Sequence, residues 1–141
     1  MENGGIIIHT DGGARGNPGP AACAFVAEVS GKTIGRKSLF LGVTTNNYAE
    51  YQGVLLALKW LDENRKDFSA GVVSFCLDSE LVARQLSGKY KVKDKKLMEL
   101  FIRAVNLSRK SGLKINYKNI PREENKLADF LVNEELDKNS E

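Results

Sequence analysis

Gly5-Ile6-Ile7-Ile8-His9-Thr10-Asp11, followed by Gly12-Gly13-Ala14-Arg15-Gly16-Asn17-Pro18-Gly19-Pro20, is the stretch on which the fold turns. The first part is apolar almost throughout, which predicts a central strand covered on both faces, because a strand with one wet face alternates apolar and polar side chains. The second part is so rich in Gly and Pro that it predicts a turn. Working outward, strands are expected at Ala21 to Val29 and Lys32 to Leu41, joined by Ser30-Gly31 at hairpin spacing. The period then changes. Tyr51, Val54, Leu55, Ala57, Leu58 and Leu61 recur at helical spacing from about Asn47 to Arg65. A strand from Val72 to Leu77 leads into Asp78 and a short helix to about Leu86. A basic loop follows, then a helix from about Asp94 to Lys110 with Leu97, Leu100, Phe101, Ala104 and Leu107 inward, a strand from Leu113 to Ile120, and a helix from about Asn125 to Leu136. The order is βββαβααβα. Hairpins early and helical crossovers later imply an α/β fold: a five-stranded mixed sheet, its first three strands antiparallel, flanked by helices.

At 141 residues the chain is expected to be one domain, residues 1–141, with a single sizeable core. Its longest apolar run, Val54 to Leu61, is broken by Lys59 and is far short of the roughly 20 residues a bilayer requires. The start, Met1-Glu2-Asn3-Gly4-Gly5, has no basic region of the kind that opens a secretory leader. The expectation is therefore a cytoplasmic protein without membrane association. Cys23 and Cys76, far apart and each among apolar residues, read as reduced buried thiols. No helix has a spare apolar face, so a monomer is expected.

The net charge of +3 conceals an uneven distribution. From Arg84 to Lys118 there are eleven basic residues against two acidic ones. Such a segment suits a local polyanion contact, although a solvated helix and loop explain it equally well on charge alone.

Four carboxylates stand out, each with an ordinary explanation. Asp11 closes the Ile-rich strand, where it is able to cap the glycine turn. Asp78 directly follows Phe75-Cys76-Leu77, at the place of a helix N-cap. Glu50 lies three residues after Asn47, the spacing of a capping box. Asp129, on the last helix, points away from a Leu127, Phe130, Leu131 stripe, as an exposed carboxylate would. Taken together they argue differently. If the first and fourth strands are neighbours, Asp11 and Asp78 meet at one sheet edge, and Glu50 and Asp129 are close enough in the topology to join them. Four carboxylates do not stay ionised in one small site without a compensating charge. Divalent cations with oxygen ligands, Mg²⁺ above all, meet that need.

Together these residues resemble a family. Thr10-Asp11-Gly12-Gly13-Ala14-Arg15-Gly16-Asn17-Pro18-Gly19-Pro20-Ala21, Thr44-Thr45-Asn46-Asn47-Tyr48-Ala49-Glu50-Tyr51, Leu77-Asp78-Ser79-Glu80-Leu81-Val82 and Pro121-Arg122-Glu123-Glu124-Asn125-Lys126-Leu127-Ala128-Asp129 are similar to the blocks of type 1 ribonuclease H, in that family's order and spacing over essentially the whole chain. The resemblance implies the ribonuclease H-like fold. It also implies endonucleolytic cleavage of the RNA strand of RNA/DNA hybrids, leaving 5′-phosphate and 3′-hydroxyl ends, by two Mg²⁺ ions with Mn²⁺ as a substitute. Carried over by residue, Asp11 would bridge both metals, Glu50 and Asp78 would hold one, and Asp129 would complete the other. Gly12, Gly13, Arg15, Asn17, Thr45, Asn46 and Asn47 fall on substrate-contacting positions, reading the 2′-hydroxyls of the RNA or holding the paired DNA strand.

Two features depart from many bacterial members. No His lies between Lys118 and Asp129; Arg122 is the nearest substitute, able to attract phosphate but not to exchange protons near neutral pH. The only histidine, His9, falls on the same strand face as Asp11 and reads as core or edge packing, with a supporting role behind the site as the alternative. The basic, Trp-containing handle is also missing. In its place Gly88-Lys89-Tyr90-Lys91-Val92-Lys93-Asp94-Lys95-Lys96 joins two helices directly, with Tyr90, Lys91 and Lys93 as candidate backbone contacts. Two alternatives remain: a non-catalytic nucleic-acid-binding module on the same fold, which would require the loss of a carboxylate, and a related nuclease that also cuts double-stranded RNA.

Overall fold

The computed structural model describes residues 5–67 and 71–140. The start, Met1–Gly4, read for a secretory leader, lies outside the described residues. Strands β1 (Ile6–Ala14), β2 (Gly19–Val29) and β3 (Lys32–Thr44) form an antiparallel meander, and β4 (Val72–Leu77) and β5 (Lys114–Asn119) extend it in parallel. The sheet order is β3-β2-β1-β4-β5, so the first and fourth strands are neighbours as expected. The helices are α1 (Asn46–Asn64), α2 (Glu80–Leu86), α3 (Lys95–Ser111) and α4 (Lys126–Lys138). Among the described residues, no helix is long and apolar enough to cross a membrane.

One face of the sheet carries the main core. Ile6, Ile8, Phe25, Phe75 and Leu77 pack against Tyr51, Val54, Leu58 and Leu61 of α1 and Leu97, Leu100 and Ala104 of α3. The other face is covered only in part, by α4, through Leu131, Val132 and Leu136 on Ala22, Ala24 and Val26. The Ile run had predicted cover on both faces; instead Ile7 is 40% exposed and His9 half-buried, because α4 is seated chiefly over β2, its apolar side on Ala22, Ala24 and Val26. The α4 stripe is corrected too. Leu127 and Phe130 face solvent, and the buried side is Ala128, Leu131, Val132 and Leu136.

A larger correction concerns Gly12-Gly13. They do not turn: β1 continues through them to Ala14, pairing Gly12 with Cys23 and Gly13 with Ala22, and the turn is confined to residues 15–18. Gly12 serves packing. A Cβ there would overlap the Ala49 carbonyl, and a Cβ at Gly53 would come within 2.7 Å of the Asp11 carbonyl. Two missing side chains thus bring the backbone of α1 onto β1 at the level of Asp11.

Candidate active site

Asp11 and Asp78 meet because of strand register. Thr10 pairs with Leu77 in the parallel β1/β4 ladder, so the next residue on each strand is a carboxylate at the same sheet edge. Asp78 is not the helix cap its position suggested. Ser79 caps α2, accepting from the Val82 amide at 3.2 Å, which leaves the Asp78 carboxylate for the cluster. Glu50 is not part of a capping box either. Thr45 caps α1 by accepting from the Tyr48 amide, and Glu50, further along the helix, turns inward and is 7% exposed. The close contact at Gly12 and Gly53 delivers it to Asp11.

Ligand-capable oxygens of Asp11, Glu50 and Asp78 all lie within 4.8 Å of one another. Asp129, on α4, stands outside this trio but lines the same cleft, with Asp11, Glu50, Gly12, Gly13, Asn46 and Arg122; the cleft has a volume of about 600 Å³. The electrostatics fit crowded acids. Burial, then the neighbouring Asp78, pushes the Asp11 carboxyl from 3.8 up to about 8; Asp129 adds to the rise, while the Gly12 amide and the Arg122 guanidinium oppose it. Glu50 is held well above the usual carboxylate range, by burial first and then by Asp11 and Asp78. Among the described residues, Glu50 Oε1 is buried with no hydrogen-bond partner. An unpartnered buried carboxylate oxygen facing two other acids is the donor set a hard divalent cation takes, so the site fits such an ion.

The other candidates fall into three groups. Asn17, Thr45, Asn46 and Asn47 line a groove of about 610 Å³ that also borders Tyr48 and the start of α3. Here Asn17 Oδ1 accepts from the Asn46 amide at 2.9 Å and Asn46 Oδ1 from the Ala14 amide at 2.8 Å, locking the β1–β2 turn to the head of α1. Arg15 reaches α4 instead, pairing with Asp137 at 2.8 Å and with Asn133 Oδ1 at 3.2 Å. Tyr90, Lys91 and Lys93 are exposed on the α2–α3 loop, with the Arg84 guanidinium 5.7 Å from the Tyr90 ring centre. Arg122 is exposed at the lip of the cleft, on a short 3₁₀ turn (Arg122–Glu124).

One site residue escaped the sequence reading. Asn125, fully buried, donates from Nδ2 to the Thr10 carbonyl at 2.8 Å and to Asp78 Oδ2 at 3.1 Å. Its signal was faint, an Asn one helical turn before Asp129, and its partners are remote in sequence.

A twisted mixed sheet with a carboxylate cluster at the ends of its two central strands defines a domain of the ribonuclease H-like class. A family model described as reverse transcriptase-like matches residues 9–135. LC11-RNase H1, whose crystal structure is in complex with an RNA/DNA hybrid, superposes with a TM-score of 0.90 at 42% identity, covering 94% of this chain and 97% of that one. A ribonuclease HI of Halobacterium salinarum is 35% identical over 136 residues, 95% of this chain and 65% of that protein. A bifunctional protein of Mycobacterium tuberculosis is 36% identical over 135 residues, and there the chain spans 35% of the relative's length. The chain belongs to the type 1 ribonuclease H family.

Proposed function

We propose that this domain is a divalent-metal-dependent endonuclease that hydrolyses the RNA strand of RNA/DNA hybrids, leaving 5′-phosphate and 3′-hydroxyl ends. The observation that carries the reading is the Asp11, Glu50, Asp78 cluster within 4.8 Å, of which Asp11 and Glu50 line an open cleft together with Asp129. All four expected carboxylates are present, which favours an enzyme over a non-catalytic module. Asp11, Glu50, Asp78 and Asp129 would hold two Mg²⁺ ions in the presence of substrate, with Mn²⁺ as a substitute. Bound there, such ions supply an activated water and neutralise charge on the leaving oxygen.

The chain's own residues account for the rest. Asn17 and Asn46 engage their carbonyl oxygens with backbone amides, which orients their N–H₂ groups as donors for substrate oxygens. The bare backbone at Gly13 borders the cleft, where a sugar approaches closely, while Gly12 beside it lets α1 close onto β1. Tyr90, Lys91 and Lys93 contact the duplex backbone, and Thr45 and Asn47 line the groove that takes the paired DNA strand. Arg15 steadies α4 through an exchangeable surface pair, and Arg122 draws phosphate to the cleft without exchanging a proton. We further propose one domain over residues 1–141, acting as a monomer in the cytoplasm, where the buried Cys23 and Cys76 stay reduced.

The test is cleavage of labelled RNA/DNA hybrid, double-stranded RNA and double-stranded DNA in Mg²⁺, Mn²⁺ or EDTA. Hybrid cut in its RNA strand with metal and intact in EDTA is the expected result. An uncut hybrid in both metals overturns the proposal, and equal cleavage of double-stranded RNA overturns its hybrid specificity.

A further inference from the structure

Asn125 joins three parts of the site with one residue. Its two Nδ2 protons go to the Thr10 carbonyl, one residue before Asp11, and to Asp78 Oδ2. Its backbone carbonyl accepts the Asp129 amide at 3.1 Å, opening α4. Asn125 is thus bonded directly to Asp78 and to the Asp129 amide, and to Thr10, the residue before Asp11. Among the described residues Asn125 Oδ1 is buried without a donor, so the side chain's hydrogen bonds are the two made by Nδ2. The end of β5 is held separately: the Ile120 amide and Asn119 Nδ2 donate to the Leu77 carbonyl, at 2.8 and 3.2 Å.

We infer that Asn125 is a positioning residue for the carboxylate site: its side-chain amide fixes the rotation of Asp78 against the end of β1, occupying Oδ2 and leaving the other oxygen to a cation shared with Asp11 and Glu50. The inference rests on the proposed metal-dependent function. Asparagine suits the role as no other residue does. Asp would lose both donors and set a second charge about 3 Å from Asp78, whereas Gln would need room for an extra methylene in a site with no exposure.

The test begins without nucleic acid. Calorimetric titration of the whole protein with Mg²⁺ alone is expected to show affinity lowered about tenfold or more in Asn125→Ala, as for other groups that orient metal ligands. Ser87→Ala removes a side-chain bond to a strand carbonyl away from the carboxylates, that of Tyr117 on β5, and leaves Mg²⁺ affinity unchanged. With hybrid, Asn125→Ala loses kcat with KM within about twofold of wild type, and excess Mg²⁺ restores part of the loss. Unchanged Mg²⁺ affinity in folded Asn125→Ala overturns the inference. If that variant does not fold, the side-chain amide resonances of Asn125 in the wild type decide. They shift on Mg²⁺ addition while those of Asn139, at the far end of α4, do not, and an unmoved Asn125 signal overturns the inference. Wild type that binds Mg²⁺ but leaves hybrid intact overturns the hydrolase reading alone; wild type that binds no Mg²⁺ overturns both.

Discussion

Replacing Asp11 by Asn is expected to abolish cleavage and, in metal-free solution, to stabilise the fold. The carboxyl of Asp11 moves from 3.8 to about 8 on folding, chiefly through burial and the neighbouring Asp78. Between those values the folded protein holds a proton that the unfolded chain has released, so stability falls as pH rises from about 4 through 8. At about 1.4 kcal/mol per pH unit, the whole fall is at most about 6 kcal/mol. Asn carries no charge at any of these pH values, and its Oδ1 keeps the acceptor position now 2.9 Å from the Gly12 amide. Its N–H₂ also offers a donor to the remaining carboxylates. Because the cleft opens to water, part of the penalty is relaxed, and a gain of about 2–3 kcal/mol at pH 8 is expected. For a domain of this size that raises Tm by about 5–10 °C. Calorimetric melts of both proteins in EDTA at pH 5 and pH 8 measure it: the gain should be small at pH 5, large at pH 8, and reduced by Mg²⁺, which favours the ionised wild-type side chain. A variant no more stable than wild type at pH 8 in EDTA, or one with the same gain at both pH values, would refute this account of the cluster.

Three further outcomes are expected. Gly12→Ala forces a Cβ into the Ala49 backbone and should cost about 1–3 kcal/mol in chemical denaturation while lowering cleavage, since α1 must retreat with Glu50. Leu58→Ala, at a side chain with no exposure where α1 meets the main core, should cost about 2–5 kcal/mol without changing the pattern of RNA cuts. Changing Lys91 and Lys93 together to Gln should raise KM for hybrid and flatten its dependence on the logarithm of salt concentration by about two, roughly 0.9 for each phosphate that is no longer neutralised; an unchanged slope would remove the α2–α3 loop from the interface.

Local chemistry made much of the fold legible. The helical period from Tyr51 to Leu61, the hairpin at Ser30-Gly31 and the apolar run before Asp78 each follow from neighbours a few residues apart, and each element stands where those signals put it. The four blocks of the family resemblance likewise named the carboxylates without a structure. Local rules misled wherever a distant contact outweighed them. Gly12-Gly13 looked like a turn because glycine favours turns, but the pair serves a backbone contact with a helix some 37 residues away, Gly12 against Ala49. Glu50 and Asp78 fell at plausible capping positions, yet Thr45 and Ser79 took the caps and released both acids inward. The stripe at Leu127 and Phe130 faced solvent because α4 lays its other side, Ala128, Leu131, Val132 and Leu136, on the sheet. By itself, then, the sequence determined the elements, their order and the residue types able to bind a cation, since these depend on near neighbours and on side-chain chemistry. Only the tertiary structure decided which acids share one environment and what holds them there. Strand register sets Asp11 beside Asp78, the contact at Gly12 brings in Glu50, and the fold places Asn125 against a carbonyl 115 residues away.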